Sequence, residues 1–474
     1  MSPSFSLIGL LLLAALAGAP PGRAQRPGPA KLAAAPALVA GPMLGYAEHR
    51  EAAIWLEVSP TVRQVAVRYR PQTAAPAPVA PWRTAAYTGP LGRVFNPLTI
   101  ALTDLQADTP YQYEVLLDGK AAPRPYPLAF RTKWVPEYTK TPRDFSFLFG
   151  SCLYLNDSTY DYPGKPYGQD PGILTTMART PADFMLWGGD NVYLRVPDYS
   201  SAFGIRSRYR TNRAFPLLQP LLAARPNYAI WDDHDYGPND ANRSFGLRGV
   251  SADCFAHYWP HRSFGEPDNP GIYQHLKYGD ADFFMMDDRS YRAPNELPDS
   301  LNGRPNPRKE FYGPRQLRWL EDGLIASRAA FKFVFTGGQM LNPRADKECF
   351  RYYPAEYEEL LNFIVGNKIP GVVFLSGDRH FSEIIRLTPP GFYPLYDVTS
   401  SSITSGVHDI SGTPEMQNPA RVPGTLLLEN NFVKVEIGGP PTDRTATFRA
   451  LDRTGKERWQ HVVRARELRV PGRP

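Results

Sequence analysis

The chain has 474 residues, of which 42% are apolar and 21% charged, with a formal net charge of +6. That length and apolar content suit two or three domains with a sizeable core and exclude wholesale disorder. The basic surplus is slight, and neither a clustered basic run nor a heptad pattern occurs. These features speak against a dedicated nucleic-acid binder, and no nucleic-acid partner is expected.

At the N-terminus an apolar run from Leu7 to Leu16 is followed by small residues and then Arg23-Ala24-Gln25. A run of about ten residues is too short to span a bilayer of about 30 Å. It fits a secretory signal over residues 1–25, with cleavage near Ala24 or Gln25. The expectation is an exported protein, periplasmic or at the cell surface, with no transmembrane segment in the mature chain. Arg26–Pro36 reads as a Pro/Ala-rich leader. The Pro-rich stretches Pro71–Pro81, Pro123–Pro127 and Pro294–Pro314 read as rigid loops. Three cysteines, Cys152, Cys254 and Cys349, cannot build a disulfide framework. Cys254 and Cys349 could pair and leave Cys152 over, but the sequence does not establish it.

Residues 38–135 read as an all-β unit. Ala53–Val58 and Gln64–Arg70 are rich in β-branched and apolar residues, and Leu98–Leu102 continues the pattern. Leu105, then Thr109-Pro110, then Tyr111, Tyr113 and Val115 place three side chains on one strand face. This stretch resembles the tyrosine-corner region of fibronectin type III-like β-sandwiches.

After Pro142, over residues 142–455, the pattern changes. Phe145–Phe149, Phe184–Trp187, Tyr228–Trp231, Phe283–Met286, Phe331–Thr336 and Val372–Leu375 are unalternated apolar runs, as suits strands buried on both faces. Gln316–Arg328 carries Leu317, Leu320 and Leu324 on one helical face. Strands alternating with helices predict an α/β layer architecture. Open α/β sheets place their sites at the carboxyl ends of strands. Those ends carry Gly150-Ser151-Cys152, Gly189-Asp190-Asn191-Val192-Tyr193, Trp231-Asp232-Asp233-His234-Asp235 and Gly377-Asp378-Arg379-His380.

The donors in these motifs suggest a metal centre. A carboxylate such as Asp190 can bridge two cations through its two oxygens, and Tyr193 offers a phenolate. A thiol such as Cys152 deprotonates beside a metal, though most free cysteines are small buried hydrophobes. Three carboxylates around His234 are costly unless a cation, hydrogen bonds or solvent compensates. Asn239-Asp240 lies a few residues on and could supply an amide oxygen to a hard cation. Hard anionic donors with few histidines suit ferric iron, Ca²⁺ or Mn²⁺ better than structural zinc. His257 and His261 have Pro260 between them and read as structural. No phosphate-binding Gly-rich loop, dinucleotide fingerprint or nucleophile elbow occurs.

In this order the four motifs resemble the alkaline phosphatase D (PhoD-like) family of the metallophosphoesterases. Phe284-x2-Asp287-x-Arg289-x2-Arg292, Gln316-x2-Trp319-Leu320 and Ser401-Ser402-Ile403-Thr404-Ser405 share the resemblance, which covers roughly Gly41 to Phe432. The resemblance implies a four-layer α/β/β/α catalytic sandwich behind the β-rich unit. It implies Fe³⁺ held by Cys152, Asp190 and Tyr193 with Ca²⁺ beside it, Asp190 bridging. Asp233, Asn239 and Asp378 follow as further ligands, and His380 as a ligand or phosphate contact. His234 becomes a phosphate contact or proton donor. The Asn239 stretch departs from the family, which commonly has Asn-Asn after Asp-Asp-His-Glu; Asp235 replaces that Glu, and Pro238-Asn239-Asp240 follows. A carboxylate from the region of Asp397 would complete the set. The implied activity is hydrolysis of phosphoesters by a metal-bound hydroxide, chiefly as a phosphomonoesterase. A phosphodiesterase or phospholipase on the same site, and a non-catalytic surface-binding protein, are the alternatives.

Overall fold

The computed structural model describes residues 37–73, 78–139, 141–161, 166–343 and 348–470. The expected signal segment and Pro/Ala-rich leader, up to Pro36, lie outside the described residues. Among the described residues no helix is long and apolar enough to cross a membrane.

Eight strands open the described chain: β1 (Leu38–Ala47), β2 (Ala52–Val58), β3 (Val65–Pro71), β4 (Arg83–Ala86), β5 (Pro97–Leu102), β6 (Pro110–Leu117), β7 (Lys120–Ala121) and β8 (Ala129–Arg131). They form a sheet β1-β2-β5 and a sheet β4-β3-β6-β7, with β8 also on β6. Period-two burial along β6 puts Tyr111, Tyr113 and Val115 inside, as the alternation predicts. They share one core with Leu44, Ile54 and Ile100 of the other sheet, so the two sheets form a β-sandwich. Tyr111 Oη accepts the Gln106 N–H at 2.9 Å, tying the strand to the preceding loop.

The first sheet is apolar on both faces. Its second face, with Met43, Ala53 and Trp55, belongs to the core of the following α/β region. Trp55 Nε1–H donates to His257 O at 2.7 Å, and Asn227 Nδ2–H donates to Leu44 O at 3.0 Å. Pro36–Pro474 is accordingly one compact unit.

The α/β region continues with β9 (Phe145–Gly150), α1 (Ile173–Arg179), β10 (Phe184–Gly188), α2 (Ala202–Arg213), α3 (Leu218–Ala224), β11 (Asn227–Ile230), α4 (Asp233–Tyr236) and α5 (Arg248–Tyr258). Next come β12 (Gln274–Tyr278), β13 (Ala281–Met285), a short hairpin of β14 (Ser300–Leu301) and β15 (Arg304–Pro305), α6 (Pro314–Ala326), β16 (Phe331–Phe335) and α7 (Pro354–Gly366). The remainder is β17 (Val372–Ser376), β18 (Glu383–Leu387), β19 (Leu395–Thr399), β20 (Asn431–Gly438), β21 (Thr445–Asp452) and β22 (Glu457–Arg464). Helix α6 starts two residues before the expected Gln316, because Pro314 presets the helical φ at a position that needs no N–H partner.

Two six-stranded mixed sheets result, β11-β10-β9-β20-β21-β22 and β12-β13-β16-β17-β19-β18. The first sheet runs past residue 455, because β22 pairs along β21. The sheets face each other through phenylalanines: Phe147 meets Phe283 at 5.2 Å and Phe333 at 5.6 Å, both edge-on. Outside the second sheet, α6 lies so close that a Cβ on Gly323 would stand 2.4 Å from the Phe284 ring. Outside the first, Trp187 of β10 meets Trp259, just after α5, at 5.8 Å. The order is helix, sheet, sheet, helix. Cys254 and Cys349 do not pair: all three cysteines are free and buried. Cys254 lies in α5, whereas Cys349 Sγ meets Gln339 O at 2.9 Å.

Candidate metal centre

The carboxyl ends of β9, β10 and β17 meet where the two sheets come together. A Cβ on Gly377 would lie 2.5 Å from Ser151 Oγ and 2.8 Å from Gly188 O. Gly189 has φ +91°, and a Cβ there would lie 2.7 Å from Asp232 Cβ. Glycine therefore precedes both Asp190 and Asp378 because the strand ends approach too closely for a side chain. The residues just beyond leave the strand direction through left-handed backbone: φ is 61° at Cys152, 52° at Asp190, 66° at Asp378 and 58° at His380. Non-glycine residues adopt such values at a cost that concentrates at functional sites.

Two donor groups share Asp190. Cys152, Asp190 and His380 offer ligand atoms all within 4.8 Å of one another, and so do Asp190, Asp233 and His234. In the first group Cys152 Sγ lies 3.7 Å from Asp190 Oδ2, and Ser401 Oγ–H donates to the sulfur at 3.1 Å. Tyr193 Oη lies 3.3 Å from His380 Nε2. In the second, the His234 N–H lies 3.2 Å from Asp190 Oδ1 and 2.9 Å from Asp233 Oδ1. The His234 ring packs on Tyr193 at 4.3 Å, and its Nδ1 is buried without a partner. Asp378 acts electrostatically on both Cys152 and Asp190. Asp235, the residue in place of the family's Glu, has a scaffolding role. It accepts the N–H groups of Asn191 (3.1 Å), Val192 (3.0 Å) and Asp232 (3.1 Å), locking the Asp-x-x-Tyr turn onto α4.

The electrostatics call for cations. Burial, followed by the nearby Asp190 and Asp378 carboxylates, pushes the Cys152 thiol well up. Burial and then Asp233 raise Asp190; burial and then Asp190 raise Tyr193. Asp378 is pushed up to about 7 by burial, with Glu348 adding to it. Burial holds His380 down at about 3, so its imidazole is neutral and its nitrogen is free to ligate. Thiol, phenol, carboxylates and neutral imidazole converge in one buried place, and the unpartnered Asp232 Oδ2 and His234 Nδ1 lie beside it. This donor set fits bound metal ions, which would displace the protons.

Sequence reasoning missed several groups. Asn239 and Asp240 are both exposed, and the backbone N–H of Asp240 donates to Asp233 Oδ2 at 2.7 Å. Asp397 does not face the centre. Its oxygens accept Met340 N–H at 2.7 Å, Leu341 N–H at 3.0 Å and Ser376 Oγ–H at 2.7 Å, anchoring the loop after β16. Arg289 is fully buried, with Nε 2.6 Å from Asp232 Oδ1 and Nη2 2.9 Å from Glu348 Oε2. It supplies the positive charge beside the acidic block. The Asp287-x-Arg289-x2-Arg292 stretch carried the family likeness, but no sequence signal tied Arg289 to Asp232 or brought in Glu348. His261 is structural as read, its Nε2 accepting the Ala229 N–H at 3.1 Å.

Two facing mixed sheets flanked by helices, with an acidic, thiol-bearing centre at the strand ends, define the metallophosphoesterase class of fold. The family model for PhoD-like phosphatase matches residues 169–431, more than half of the sequence, and the chain belongs to that family. A second family model, a domain of unknown function (DUF7800), matches residues 35–133. Alkaline phosphatase D of Bacillus subtilis (strain 168) is 27% identical over 294 residues, covering 53% of this chain and 48% of that protein. The chain thus spans about half the length of the curated relative it matches. A solved structure of PhoD superposes with a TM-score of 0.69 at 19% identity, covering 89% of this chain and 88% of its own. Purple acid phosphatase PPD1 from yellow lupin (Lupinus luteus) seeds gives 0.61 at 11% identity, covering 89% and 73%.

Proposed function

We propose that this protein is an exported, metal-dependent phosphoesterase acting chiefly on phosphomonoesters. The observation that carries the reading is the sharing of Asp190 between two compact donor groups. Cys152, Asp190, Tyr193 and His380 would hold one cation, and Asp190, Asp233 and Asp378 a second. The thiol and phenol suit ferric iron on the first side, and the carboxylates suit calcium on the second. Such a pair supplies positive charge for phosphoryl oxygens and lowers the pKa of a water towards neutrality. The chain's own groups orient the reactants. Asp235 and Ser401 fix the ligand-bearing turns, and Arg289 offsets the charge of Asp232. His234, whose Nδ1 is buried without a partner, would donate a hydrogen bond to a phosphoryl or leaving oxygen. Export rests on the apolar run Leu7–Leu16 and the small residues after it.

The test is p-nitrophenyl phosphate hydrolysis by wild type and Asp190→Asn, with metal content measured on both. Wild-type turnover should vanish in the variant together with bound metal. A variant that keeps full activity would sink the proposal. Bis(p-nitrophenyl) phosphate in parallel separates monoester from diester preference.

A further inference from the structure

The Nδ1 of His380 has more neighbours than a ligating imidazole needs. It lies 2.7 Å from Gly406 O, 2.9 Å from Tyr167 Oη and 3.5 Å from Ser405 Oγ. A carbonyl can only accept, so Nδ1 carries the hydrogen and Nε2, towards Tyr193, carries the lone pair. A protonated Nδ1 cannot accept the Tyr167 proton. The Tyr167 oxygen can only accept there, and its own O–H points elsewhere. Among the described residues that hydroxyl has no other hydrogen-bond partner.

The phenol is held rigidly. Tyr154 packs edge-on against its ring at 4.9 Å, and Tyr154 in turn packs on Tyr193 at 4.8 Å. A Cβ on Gly406 would press to 3.0 Å from Tyr167 Cε2, so the ring seats directly on backbone there. The segment is pinned by Gln169 N–H to Thr404 O at 2.6 Å and by Gly168 N–H to Asn156 Oδ1 at 2.9 Å. Yet Tyr167 remains 39% exposed. An ordered aromatic, half open to solvent, thus stands beside a buried candidate ligand with an uncommitted donor. It lies outside the matched segment 169–431.

We propose that Tyr167 is a catalytic residue whose phenolic O–H donates a hydrogen bond to a non-bridging phosphoryl oxygen of a phosphoester bound beside Tyr193 and His380. The proposal rests on the phosphoesterase reading above. Tyr167 keeps its proton throughout; the contact offsets negative charge on the phosphoryl group.

The experiment compares full-length wild type with Tyr167→Phe in three measurements: metal content, calorimetric affinity for inorganic phosphate, and kcat/KM on p-nitrophenyl phosphate. A hydrogen bond to a charged group predicts a fall in kcat/KM of about tenfold to a hundredfold, with weaker phosphate binding and unchanged metal content. Loss of metal along with activity would overturn the proposal, because Tyr167 would then act only by orienting His380. Unchanged phosphate affinity with kcat/KM within about twofold would overturn it as well. If the wild type binds metal but turns over no phosphoester, the phosphoesterase reading fails; phosphate affinity still decides whether Tyr167 is a donor.

Discussion

Replacing Gly377 with alanine should cripple the centre without touching a ligand. The new Cβ would stand 2.5 Å from Ser151 Oγ, 2.6 Å from Ser151 Cβ and 2.8 Å from Gly188 O. Carbon contacts are favourable only from about 3.5 Å, so one partner must yield by about 1 Å. The Ser151 hydroxyl could rotate only by giving up its 3.1 Å hydrogen bond to Ser400 O, and its Cβ cannot rotate away at all. The displacement therefore passes into the backbone before Cys152 or before Asp190. Overpacking of this kind costs about 1–3 kcal/mol of stability. A displacement of about 1 Å at a catalytic group costs about a hundredfold in rate. Gly249→Ala is the control: it lies in α5, and a Cβ there meets nothing within 4 Å. That change should be neutral or stabilise by about 0.5–1 kcal/mol. Chemical denaturation, bound-metal content and p-nitrophenyl phosphate turnover are measured on both. A Gly377→Ala protein with full metal and kcat/KM within about threefold of wild type would refute the argument that these strand ends are too close for a side chain.

Two further outcomes are expected. Arg289→Met leaves the buried Asp232 without its cation, while Glu348 keeps Arg292, and should lower stability by about 3–5 kcal/mol in urea unfolding; an unchanged midpoint would show that the charge is not needed. Asp378, raised to about 7 in the folded chain against about 3.9 unfolded, binds more protons folded than unfolded across that window, so its contribution to stability declines as pH rises through it. In chelator-treated protein Asp378→Asn should therefore gain stability over wild type between about pH 4 and pH 7, and a difference flat across that range would contradict the shift.

The strands were legible because burial on both faces leaves unalternated apolar runs. Phe145–Gly150 and Phe184–Gly188 differ from the expected strands by a single residue at the carboxyl end. Trp231, expected inside its strand, instead starts the turn into α4 and donates from Nε1 to Asp287 Oδ1 at 2.7 Å. The C-terminal strand β21 alternates, but its sheet is completed by distant pairing with β20, which pairs with β9. The sandwich read as a unit of its own because the strand pattern reports that a face is buried and not what buries it. Trp55 is buried against the α/β region, where Tyr258 packs on it at 5.5 Å.

What the sequence determined alone was the chemical inventory: which strand ends carry thiol, phenol, carboxylate and imidazole, in an order that marks the PhoD-like family. Those signals are local, a few residues long, and survive without coordinates. Tertiary structure decided which of these groups meet. It put Asp190 in both donor groups, brought the Asp240 backbone N–H to Asp233, and turned Asp397 into a loop anchor. It also brought Arg289, Glu348 and Tyr167 to the centre's edge. Such placements depend on how two sheets pack and where left-handed residues turn the chain, and these follow from contacts between residues far apart in sequence.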